Sequence, residues 1–221
     1  MRTAVTSLAI ALALQLSPAF AGEAHDHRAP GVARAFGDGE AGYLPPALVQ
    51  QEHLRVVAMK LQDFKEAQAK KMKDALALLE AIVNSEEFKD RVVNFKNRRG
   101  QRAFASNLGL SNEEIYRKFM EGREELQPQT PGEMNFFLKL YEKNNSTVIG
   151  YTSPSVNLIH VNNKYFRAYT LNEVAANLCH EWLHKLGFDH ASAAEHDSVP
   201  YGIGYVVKEL VRKELSRQGL R

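Results

Sequence analysis

From His180 to His190 the chain reads His-Glu-Trp-Leu-His-Lys-Leu-Gly-Phe-Asp-His, and this run constrains the fold more than any other. Two histidines four residues apart share one helix face, because a turn takes about 3.6 residues. A single zinc ion can then take a nitrogen from both His180 and His184. Glu181 stands one step around the helix, off the axis of the pair but beside the position of a metal-bound water. Gly187 suits the left-handed conformation that ends a helix, so the chain can turn and bring His190 back as a third ligand. Three neutral nitrogens leave a fourth position for water, the pattern of catalytic rather than closed structural zinc sites.

The residues around the run support a helix independently. Thr170-Leu171-Asn172-Glu173 has the spacing of a capping box and predicts a helix start there. At about 100° per residue, Leu171, Val174, Ala175, Leu178, Trp182 and Leu186 form one apolar band. Glu173, Asn177, His180 and His184 fall opposite, so the back of the helix can be buried while its front carries the histidines into a cleft. Lys185 falls at the edge of the apolar band and is expected to snorkel from the last turn.

A chain of 221 residues with 44% hydrophobic content fits one globular domain. Residues 1–21 have the form of an export signal: Arg2, an apolar run from Leu8 to Leu16, and Ala19-Phe20-Ala21 as a cleavage site. The expected location is the periplasm or the medium. That run is too short to span a bilayer and no other stretch is apolar enough, so stable membrane insertion is not expected. Removing the signal takes one arginine and no acid, which lowers the formal charge from +2 to +1. A near-neutral chain has no bulk electrostatic reason to bind nucleic acid. The single cysteine, Cys179, excludes an internal disulfide and reads as a small packing residue.

Residues 22–46 are rich in Gly, Ala, Pro and charge without periodicity and read as a flexible linker, with His25 and His27 in a solvated tail. Residues 47–221 are expected to form one catalytic domain. From Ala47 to Val83, Leu54, Val57, Leu61, Phe64, Leu76, Leu79 and Val83 recur at helical spacing, which predicts one long helix or two. Lys70, Lys71 and Lys73 read as its solvated face. Arg91 to Phe95 fits a short strand or a helix end, and Ser111-Asn112-Glu113-Glu114 starts a helix running to about Gly122. Three strand-like runs follow, Met134 to Tyr141, Thr147 to Thr152 and Val156 to Val161, the last two joined by a turn at Ser153-Pro154-Ser155. Residues 162–169 lead into the histidine helix. A last amphipathic helix runs from about Ile203, with Val206, Val207, Leu210, Val211 and Leu215 inward. The expected class is α+β: a small mixed sheet of three to five strands packed on the histidine helix and the C-terminal helix, with a helical N-terminal part. His160 reads as an ordinary strand residue. His196 and Asp197 are alternatives to His190 as third ligand, ranked below it on spacing.

His180, Glu181, His184, Gly187 and His190 match, position by position, the zinc signature of the metzincin metallopeptidases, which the last 90 residues or so resemble. The resemblance places a metzincin-like core at about residues 132–221. It implies a zinc peptidase with His180, His184 and His190 as ligands and Glu181 as general base and acid. It also implies a peptide or protein substrate lying antiparallel along an edge strand, here Val148 to Thr152. Metzincins carry a methionine in a turn beneath the zinc, whereas this chain has none after Met134. Ser198-Val199-Pro200-Tyr201 is the corresponding turn. Some members use a tyrosine just after it to bind the metal or steady the transition state, which makes Tyr201 a candidate catalytic residue, with Tyr205 second. Leu183-His184 and Gly187-Phe188-Asp189-His190 are also similar to the zinc endoribonucleases of ribosomal RNA maturation, which lack the glutamate. A gluzincin peptidase using Glu209, and a zinc-stabilised binding protein without turnover, are the remaining alternatives.

Overall fold

The computed structural model describes residues 53–126, 130–190 and 195–220. The expected export signal and linker, with His25 and His27, lie outside the described residues. The fold is α+β, with a four-stranded mixed sheet and six helices among the described residues.

Strand β1 (Arg55–Gln62) pairs in parallel with β2 (Glu133–Tyr141), and β2 in parallel with β4 (Leu158–Asn162). The short β3 (Gly150–Tyr151) lies antiparallel on the outer side of β4, giving the order β1-β2-β4-β3. Strand β2 alternates strictly, with Met134, Phe136, Leu138 and Leu140 buried. Those side chains, with Ile159 and Val161 of β4, join a single apolar core shared with the helices.

Strand β1 corrects the sequence reading, which places helix over this segment. Val56 and Leu61 both pack on the core, yet five residues of regular strand would point them to opposite faces. A register shift between Ala58 and Lys60 restores the parity. Such a bulge removes the alternation that marks a strand and leaves apolar spacings that mimic a helix. Helix begins only at α1 (Glu66–Val83), whose buried Met72, Ala75, Leu76, Leu79, Ile82 and Val83 follow the helical period. Its lysines divide. Lys70 pairs with Asp74 on the surface, whereas Lys71 reaches across to the Phe166 and Tyr169 carbonyls at 2.6 and 2.5 Å.

Arg91 ends a helix, α2 (Glu86–Val93), rather than opening a strand. Helix α3 (Asn112–Glu121) has the Ser111–Glu114 capping box and stops at Gly122 in the left-handed conformation, φ 64°, as its sequence predicts. The connection after β4 contains a short helix, α4 (Asn163–Ala168), which its six residues make too brief to show periodicity. The buried Asn162 caps it and also donates to the Lys143 and Val148 carbonyls, both at 3.1 Å, fixing the loop that feeds β3.

Helix α5 (Leu171–Lys185) carries the histidines and starts at the Thr170–Glu173 capping box. Lys185 does not snorkel. It is fully buried and pairs with Glu124 at 2.5 Å, and Glu124 also accepts the Trp182 indole N–H at 3.1 Å. Helix α6 (Val199–Arg217) begins four residues before the predicted start, so Val199-Pro200-Tyr201 is its first turn and not a free turn. Ser198 is its N-cap, and a proline in the first turn removes an N–H that would be unpaired anyway. Gly202 and Gly204, inside the helix, are contact points. A Cβ on Gly202 would meet the Phe104 ring at 2.8 Å, and one on Gly204 would approach the Ala176 carbonyl at 3.3 Å. No helix among the described residues is long and apolar enough to cross a membrane.

Candidate metal centre

Leu178, Cys179, Trp182 and Leu183 sink the back of α5 into the core, so its front is held rigidly. Trp182 is anchored edge-on against Phe119 of α3, ring centres 5.2 Å apart. On that front, His180 and His184 bring their Nε2 atoms to 3.3 Å from one another. At the end of the helix Gly187 takes φ +85° and reverses the chain. His190 returns with its Nε2 also 3.3 Å from that of His180. Among the described residues these three histidines form the group able to hold a metal ion, each offering one nitrogen.

Four ligands placed tetrahedrally at about 2.0–2.1 Å from zinc stand about 3.3–3.4 Å apart, and the two separations from His180 match that spacing. The tautomers agree with this. His184 Nδ1 donates to the Phe188 carbonyl at 2.8 Å, and the His180 ring hydrogen-bonds the Pro200 carbonyl. Both neutral rings therefore turn an Nε2 lone pair inward, and such converging lone pairs suit a cation. Burial and the neighbouring rings hold His180 down at about 3, and burial lowers His184 too, so neither needs to lose a proton near neutral pH to become a ligand. His190 Nδ1 is buried without a hydrogen-bond partner among the described residues, although Asp189 Oδ1 accepts the His190 backbone N–H at 2.7 Å.

Glu181 is 4% exposed, and burial pushes its carboxyl up to about 8. Asn177, one turn earlier, donates to Glu181 Oε1 at 3.4 Å and partly offsets that shift. Tyr201, in the first turn of α6, sets its ring 4.5 Å from the His180 ring and 4.7 Å from the His190 ring. Its phenol is raised by burial and then by the charge of Glu181.

These groups line a cleft of about 760 Å³. The segment from Thr147 through β3 to Pro154 forms one wall, and Tyr201, Tyr205 and Lys208 contribute from α6. Tyr205 is exposed and lines the cleft without joining the histidine group. The other sequence candidates go elsewhere. Asp197 accepts the Arg98 backbone N–H at 3.0 Å, His196 lies edge-on to Tyr201 with ring centres 6.1 Å apart, and Glu209 pairs with Arg91. Cys179 is buried, with its thiol raised by desolvation, and His160 stacks flat on Tyr151 at 4.4 Å.

The sequence reading missed the residues that surround the Glu181 carboxyl. Asn177 carried a signal, since it lies four residues before Glu181 on the same helix face. Gly150 carried none, because its closeness to α5 arises only when the sheet edge forms. The chain matches no family model, no curated protein and no solved structure.

Proposed function

We propose that the protein is an exported, zinc-dependent endopeptidase related in its chemistry to the metzincins, with Glu181 as general base and acid. The observation that carries this reading is the convergence of three histidine nitrogens, two of them 3.3 Å from His180 Nε2, with a buried carboxyl beside them in one cleft. Neutral imidazoles in a tetrahedral arrangement favour zinc over oxygen-seeking cations such as calcium or magnesium.

Held by His180, His184 and His190, zinc supplies a Lewis acid that polarises a carbonyl and acidifies water beside it. The remaining steps fall to the chain. Glu181 takes a proton from the attacking water and delivers it to the leaving amine. A neighbouring divalent charge draws its raised pKa back down, which leaves a group able to accept and release a proton near neutral pH. Tyr201 directs its phenol O–H at the oxygen that gains charge. An extended peptide suits the cleft because β3 is an edge strand of the described sheet, and an edge strand can pair with an added chain.

The test is a peptide-library digest with zinc-loaded wild type and Glu181→Gln, with RNA as a parallel substrate. The reading requires cleavage of peptides by wild type only, with one zinc on each protein. Cleavage of RNA instead, or equal peptide turnover by Glu181→Gln, contradicts it.

A further inference from the structure

Glu181 leans on the sheet edge. A Cβ built on Gly150 would lie 3.0 Å from Glu181 Oε1, 3.1 Å from Asn177 Oδ1 and 3.1 Å from the His160 carbonyl. The last of these is backbone within the sheet, so a side chain at this point of β3 would press on Glu181 and Asn177, and glycine leaves room for both. Asn177 meanwhile donates its Nδ2–H to the same oxygen, Glu181 Oε1, at 3.4 Å. The carboxyl is thus bounded on one side by an amide from its own helix and on the other by bare backbone of the strand.

We propose that Asn177 and Gly150 are positioning residues that together fix the Glu181 carboxyl for proton transfer, an inference that rests on the peptidase reading above. Three features support it. The Asn177 amide is one helical turn from Glu181, so a rigid backbone sets its reach. Glu181 is almost fully buried, and a buried carboxyl with one side-chain donor among the described residues depends on that donor for its orientation. Gly150 also belongs to the strand along which the substrate would pair, so the base and the scissile bond are referred to one backbone segment. A shift of about 1 Å in such an arrangement costs on the order of a hundredfold in rate.

The test compares Asn177→Leu, which keeps the volume and removes the donor, with Gly150→Ala, which keeps the donor and fills the space. Steady-state kinetics, zinc dissociation constants and thermal midpoints are measured for both, beside wild type and Glu181→Gln. The expected result is a fall in kcat of about ten- to a hundredfold in each variant, with KM and zinc affinity unchanged within about twofold. A kcat equal to wild type in Asn177→Leu, or a loss that follows zinc affinity in parallel, overturns the inference. If Glu181→Gln is inactive while Asn177→Leu is normal, the inference falls and the peptidase reading stands. If Glu181→Gln is as active as wild type, both fall.

Discussion

At the scale of single residues, Glu181 is where burial and charge oppose each other most strongly. Burial holds its carboxyl at about 8 against an ordinary 4.5, so the metal-free fold keeps a proton that the unfolded chain gives up. Its contribution to stability is therefore fully present below pH 4.5 and is lost as pH rises through about 8. A divalent cation reverses that preference. Zinc binding near pH 6 should expel about one more proton from wild type than from Glu181→Gln, as read by calorimetry in buffers of different ionisation enthalpy. Equal proton release in the two proteins contradicts the assignment. Tyr201→Phe keeps the ring against His180 and His190 and removes only the hydroxyl. It should lower kcat by about a hundredfold with zinc affinity unchanged, if the phenol serves the developing oxyanion. An unchanged kcat assigns Tyr201 to packing alone.

At the scale of elements, helix α5 was legible because its signals are local. The capping box, the apolar band and the i, i+4 histidines all lie within one continuous stretch, and Gly187 announces the reversal that returns His190. Strand β1 was not legible, because its bulge erased the alternation and its partner β2 lies more than seventy residues away. The start of α6 was obscured by Pro200, Gly202 and Gly204, whose roles depend on Phe104 and Ala176 from other elements. The same holds for Lys185, whose partner Glu124 sits in the strap after α3. That buried pair makes a prediction of its own. Lys185→Met leaves Glu124 buried opposite no charge and should cost about 3–5 kcal/mol in urea unfolding. Removing the exposed Arg217–Glu214 pair should leave the unfolding midpoint essentially unchanged. A Lys185→Met protein as stable as wild type shows that the pair does not hold the strap to the end of α5.

At the scale of the whole molecule, a single core joins the sheet to the helix that carries the histidines and to α6. The three histidines come from the last turns of α5 and the reversal just after it, so an ion held by them would tie the reversal to the helix. Anything that binds only the folded state stabilises it, by about 4 kcal/mol when the ligand stands a thousandfold above its dissociation constant. Zinc should therefore raise the thermal midpoint of wild type, chelation should reverse the shift, and His184→Ala should show neither effect. Whether three imidazoles share one zinc and leave a fourth position open is tested most directly by X-ray absorption of the zinc-loaded protein. The prediction is one zinc per chain, with three imidazole rings and one further light ligand at about 2.0–2.1 Å. Two or fewer imidazoles, or sulfur scattering at about 2.3 Å, would contradict it.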